Sequence, residues 1–178
     1  MNNQLAKTAQ TMLKNISYAD MRELMIKNRF TCDSHWMMPM VMNTGWEVAN
    51  KVNQDVSTSV GHVEMRRLMK ALNLSKPSNE EEFMILLSLA MEAFLPKGYF
   101  DYILTKSNSG RNMAVVDQCY SNTKLRSINA EKEYQCGCFG LRAGWFQAMN
   151  VEVKEELVKC LKDGDARCEI EITSIDFF

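Results

Sequence analysis

The chain has 178 residues, 46% hydrophobic and 24% charged, with a formal net charge of −1. That length suits one domain with a full core. The charge supplies no basic field to draw the chain onto nucleic acid or an anionic membrane, and no apolar run reaches the about 18 residues a membrane span needs. The opening MNNQLAKTAQTMLKN lacks the apolar stretch of a secretory signal, so a cytoplasmic location is expected. There the six cysteines are expected as thiols or metal ligands rather than disulfides.

In chain order, residues 2–16 carry Leu5, Met12, Leu13 and Ile16, a short amphipathic helix. From Tyr18 to Phe30, Met21, Leu24 and Met25 fall at helical spacing with Arg22, Glu23 and Lys27 outside. Pro39 is expected to kink or end a helix, and Gly45 punctuates the chain again. Ala49, Val52, Val56, Val60 and Val63, followed by Leu68 and Leu72, mark the clearest helix; Gly61 lies inside it at some cost. Pro77 closes that connection. Ser78 to Glu81 reads as a capping box opening a helix to about Phe94. Its apolar stripe at 83, 84, 86, 87, 90, 91 and 94 is wide enough for a central position, and Pro96 and Gly98 end it.

From Tyr99 the pattern changes. YFDYILTK and MAVVDQC read as strands joined by SNSGR, and short helices are expected over 120–129 and 139–149. VEVKEELVKC and CEIEITSI make a hairpin over 151–175, turning at Asp163-Gly164-Asp165. Cys168, Ile170 and Ile172 should share its core-facing side. The expectation is an α+β fold in a single domain, 1–178: a helical N-terminal half (1–95) packed on a small antiparallel sheet in 96–178.

Five of the six cysteines fall between Cys119 and Cys168. With the turn centred on Gly164, Cys160 and Cys168 sit opposite each other with Cβ atoms about 5 Å apart; with a two-residue Asp163-Gly164 turn they face opposite sides. Thiolates neutralise a soft or borderline cation such as zinc, so Cys160, Cys168 and one of Cys136 or Cys138 form a candidate metal site. Glu156, Cys119 or water would be the fourth ligand. The plainer alternative is that these thiols pack as small hydrophobes. Asp33, His35, Trp36 and Met40 suggest a ligand pocket on a Met-rich segment, against the plainer reading of helix core with a surface histidine; His62 is expected to be solvated. In GLRAGW, Arg142 could clamp a ligand carboxylate with its planar fork, with Trp145 beside it. The runs at 80–82 and 154–156 read as solvated faces.

The ending KCLKDGDARCEIEI resembles the closing motif of 4-vinyl reductase domains, which implies a 4-vinyl-reductase-like C-terminal half. In phenol-sensing relatives the cysteines matching Cys160 and Cys168 hold zinc with an upstream cysteine and a glutamate; here Leu157 stands in the glutamate's place and Glu156 is one residue off. VVDQC, YQCGC and GDARCEIEI also resemble the L-2-amino-thiazoline-4-carboxylate hydrolase-like family. The segment Tyr18–Leu74 resembles a further uncharacterised cytosolic family. The implied function is small-molecule binding in an apolar pocket with a cysteine cluster and zinc at its edge, in a chain that forms a homodimer. The competing implications are a C–N hydrolase opening a cyclic amidine with Cys136 or Cys138 as nucleophile, and a structural or redox-sensing partner of another protein.

Overall fold

The computed structural model describes residues 4–178, with side chains from Leu5 onward. Two compact units divide the chain, one ending at Pro39 and the other running from Met40 to Phe178. The first contains α1 (Gln4–Leu13) and the opening of a long helix, α2 (Tyr18–Ala71). Ser17 caps α2: its Oγ accepts from the Asp20 N–H at 3.1 Å and donates to the Asp20 carboxylate at 2.7 Å.

The expected break at Pro39 is not there. The helix runs through Pro39, and the non-helical residue is Gly45, at φ 79° and ψ 169°. Proline removes one intrahelical bond but keeps a helical φ, whereas a φ of that sign favours glycine. Thr44 Oγ1 donates to the Met40 carbonyl at 2.8 Å just before the break, satisfying an acceptor there.

The second unit continues α2 and adds α3 (Glu80–Phe94), β1 (Phe100–Lys106), β2 (Asn112–Cys119), α4 (Tyr120–Arg126), α5 (Cys138–Met149), β3 (Val151–Lys159) and β4 (Cys168–Phe177). The strands form one antiparallel sheet in the order β1-β2-β4-β3. The fold is therefore α+β, as the strand and helix patterns imply. The box opening α3 is displaced by one residue: Asn79 Oδ1 accepts from the Glu82 N–H, and Glu82 reaches back to the Ser78 N–H at 2.7 Å. Phe83, Leu86, Leu87, Ala90 and Met91 of α3 join Met65, Trp145, Phe146, Met149 and Ile172 in the core, with the Phe83 and Phe146 rings 5.6 Å apart.

The inward face of α2 is only partly the expected stripe. Its Ala49 is fully buried and Val60 and Leu68 pack on the core, but Val56 and Val63 are 41% and 38% exposed, and Met65, outside the stripe, is fully buried. The face steps by four residues through Ala49, Asn53, Ser57, Gly61, Met65 and Met69. Small residues are required because α5 lies almost against α2. A Cβ on Gly61 would collide with the Leu141 carbonyl oxygen, and one on Gly144 with the Thr58 carbonyl oxygen. The GLRAG segment is thus a packing device that lets two backbones touch.

Candidate thiol centre

The sheet, α4 and α5 bring five cysteines of the second unit together. Cys119 ends β2 and stands at the N-cap of α4, where its thiol makes no capping hydrogen bond. Cys136-Gly137-Cys138 leads into α5, with Cys136 Sγ and Cys138 Sγ 3.0 Å apart. Cys160 follows β3, and Cys168 opens β4.

The expected hairpin forms, and its last pair, Lys159–Glu169, centres the connection on Gly164, the first of the two expected arrangements. The connection is a 3-10 turn, Leu161–Asp163, that ends at Gly164 with φ 101°. Cys160 therefore sits just beyond the last rung, across from Cys168, whose thiol its charge perturbs. The Leu161 N–H donates to Cys168 Sγ at 3.3 Å. Asp165 fastens the loop, its carboxylate accepting from the Cys160 N–H at 2.8 Å. Ile170 and Ile172 point into the core, with Cys168 half-buried on their side.

The thiols are close enough to perturb one another. Burial, then the charges of Cys138 and Cys160, raises Cys119 to about 11. Burial and the neighbouring Cys160 raise Cys168 to about 12. Cys136 and Cys138 share one proton: the hydrogen bond from Cys136 lowers Cys138 to about 6, with help from Arg142. The same hydrogen bond, with burial, holds Cys136 well above its ordinary value.

Arg142 is buried on α5. Its guanidinium forms a two-pronged pair with Glu155 of β3, at 2.8 and 3.1 Å, and its charge favours the Cys138 thiolate. Burial opposes its charge, but the Cys138 thiolate and the Glu155 carboxylate outweigh it and raise its pKa. Adjacent strand residues face opposite sides, so Glu156 turns away from the face Glu155 occupies, and it is exposed.

Residues the sequence reading passed over hold the Cys-Gly-Cys loop. Buried Asn50 donates to the Glu133 carbonyl at 2.7 Å and accepts from the Gln135 N–H at 3.0 Å. Gln54 donates to the Cys136 carbonyl at 2.9 Å. The Tyr134 hydroxyl accepts from the Gly137 N–H at 3.2 Å and from Asn53. The available signal was three amides at 50, 53 and 54 inside a helix, where asparagine is a poor helix former.

The other expected ligand residues are placed as follows. Asp33, His35 and Trp36 belong to the first unit: His35 is exposed, Trp36 half-buried, and burial raises the Asp33 carboxyl against the pull of Arg29. Met40, half-buried, begins the second. Trp145 is 1% exposed in the core and donates from Nε1 to Glu64. His62 is half-buried, with its Nδ1 unpartnered. One hollow of about 430 Å³ is lined by Met84, Leu104, Thr105, Lys106 and Asn112. A second, of about 310 Å³, shares Lys106 and Asn112 and includes Glu80, Arg111 and Ser174. Neither is lined by a cysteine.

Among the described residues no group of three His, Cys, Asp or Glu side chains is placed to hold a metal ion. The donor chemistry suits a soft cation: thiols from separate segments, one of them receiving a backbone N–H.

No protein-family model matches the sequence, and no curated sequence does. The fold is similar to a solved one. That structure is subunit 3 of a trafficking protein particle complex from Naegleria fowleri, covalently bound to palmitic acid. The likeness has a TM-score of 0.63 at 15% identity and covers 88% of this chain and 99% of that one. It is a likeness of fold. Among the described residues no helix is long and apolar enough to cross a membrane.

Proposed function

We propose that this chain is a cytoplasmic small-molecule-binding domain built around a zinc–thiolate centre. The observation that carries the reading is the convergence of five thiols from the end of β2, the start of α5 and both sides of the β3–β4 turn. Cys119, Cys138, Cys160 and Cys168 would hold the ion, because zinc in structural sites takes four ligands and favours thiolates. Thiols that raise one another's pKa cannot all ionise unaided; a bound dication would neutralise them, and its binding energy would contribute to folding. The Leu161 N–H at Cys168 stabilises the same charged form. Metal analysis of protein purified without chelators tests this. About one equivalent of zinc, lost in Cys160→Ser and Cys168→Ser, is expected; less than about a tenth of an equivalent, with no loss of stability in Cys160→Ser, refutes it.

For the small molecule, a long acyl chain is the first candidate, since the similar fold from Naegleria fowleri is described with palmitic acid attached. The hollow lined by Met84 and Leu104 offers apolar wall for such a chain. Fatty-acid binding that is abolished by Leu104→Asp, in a variant that stays folded, supports the reading; unchanged binding removes that hollow from it. The hydrolase alternative draws on the depressed pKa of Cys138, since the thiolate is the nucleophilic form. Ring opening of an aminothiazoline carboxylate that disappears in Cys138→Ser would favour it.

A further inference from the structure

A tetrahedral cation takes four ligands, and the centre has five thiols. The extra one is Cys136, whose Sγ lies 3.0 Å from that of Cys138 across a single glycine. A disulfide is about 2.05 Å long, so a displacement of about 1 Å closes the bond. Both residues are half-buried. The loop is held from outside the pair: Gln54 grips the Cys136 carbonyl and Tyr134 the Gly137 N–H. Gly137 itself packs so closely that a Cβ there would lie 2.9 Å from both Asn53 Nδ2 and Ser57 Oγ. The contact between the thiols is thus imposed by the surrounding fold.

We propose that Cys136 and Cys138 are a redox-active dithiol that exchanges with low-molecular-weight disulfides of the glutathione type, and that closing their disulfide withdraws Cys138 from the thiol centre and releases its cation. The second half rests on the zinc reading; the first does not. In the exchange the Cys138 thiolate attacks one sulfur of RSSR, forming a mixed disulfide and expelling RS⁻. Cys136 gives its proton to that RS⁻, and its thiolate attacks Cys138 Sγ, expelling the second RS⁻, which takes a proton from water. Two protein thiols are oxidised by two electrons, and RSSR is reduced to two RSH. A ring spanning one intervening residue departs from relaxed disulfide geometry, which makes the bond easier to reduce, as a reversible site requires.

The test is a titration of metal-free and zinc-loaded protein with mixtures of reduced and oxidised glutathione, trapped by alkylation and read by peptide mass spectrometry. The expected product is a Cys136–Cys138 crosslink in the metal-free protein. In the zinc-loaded protein the same oxidation should release zinc to a chromophoric chelator. Cys136→Ser, checked for folding by circular dichroism and replaced by Cys136→Ala if misfolded, should retain zinc, form no crosslink and release no metal on oxidation. A pair that stays reduced, stops at the glutathione adduct, or releases metal equally without Cys136 overturns the proposal. Crosslinking in a protein that never loads zinc sustains the exchange and refutes the metal reading; zinc loading without a crosslink does the reverse.

Discussion

Asn50→Ala removes the amide that joins α2 to the loop before the cysteine pair. Asn50 is 3% exposed, and its loss strands two backbone groups, the Glu133 carbonyl and the Gln135 N–H. An unsatisfied buried group costs about 1–3 kcal/mol. Both groups here are partly buried, so water recovers some of that, and the expected sum is about 2–4 kcal/mol. For a chain of this size that lowers the melting temperature by about 4–16 °C. Urea unfolding at constant slope measures it. A native-state thiol titration should show Cys136 reacting faster, because the loop has lost its main tie. Asn50→Asp separates the two bonds. It keeps the acceptor for Gln135 but sets a carboxylate against the Glu133 carbonyl, which raises that carboxyl's pKa in the folded state. Such a group loses stability as pH rises through its folded pKa, so Asn50→Asp should be nearer wild type in acid than at neutrality. A loss below about 0.5 kcal/mol in Asn50→Ala, with unchanged thiol reactivity, would refute the idea that this amide holds the loop.

Other consequences follow from the same packing. Gly61→Ala should destabilise by about 1–3 kcal/mol or more, since the obstructing atom is backbone and cannot rotate away; a melting temperature equal to wild type would contradict the close approach of α2 and α5. Arg142→Met leaves Glu155 buried without its partner and should cost about 3–5 kcal/mol, read by denaturant unfolding; the double change with Glu155→Leu should recover most of it. Glu82 accepts from the Ser78 N–H, then from its hydroxyl, and these bonds lower its carboxyl pKa. Its contribution should be full above the unfolded value of about 4.3 and lost as pH falls through the lower folded value. The stability gap between wild type and Glu82→Gln should therefore be open at neutrality and closed in strong acid.

The legible parts of this chain are those where hydropathy and structure share a period. Phe100, Tyr102 and Leu104 alternate inward along β1, and the buried residues of α3 fall within its apolar stripe. The inward face of α2 was only partly legible: Ala49, Val60 and Leu68 do pack inward, but a helix pressed against another backbone also needs small residues, and hydropathy marks Val56 and Val63, which the structure leaves outside. Pro39 and Gly45 both drew attention as breakers, and Gly45 carried the break, since proline's penalty is one hydrogen bond and glycine's freedom is a different backbone. The cysteines were visible as a group because thiols are chemically distinctive, but their tethers Asn50 and Gln54 are ordinary polar residues whose role exists only through partners some 80 positions away, and Tyr134 joins Gly137, three residues on, to Asn53, 81 positions back.

Arg142 shows where residue chemistry and residue role part. Its fork suits a carboxylate, which is why a ligand carboxylate was expected there, and it does hold one: that of Glu155. A buried guanidinium requires a partner in its own chain, because leaving the charge unpaired costs several kcal/mol (about 3–5). A ligand carboxylate would have to displace Glu155 and leave that group buried in turn. The pair is therefore better placed to fix the start of α5 against β3, and with it Cys138, whose thiolate the same guanidinium favours. On this argument Arg142 is a positioning residue for the thiol centre, and replacing it should alter the reactivity of Cys138 before that of any other cysteine.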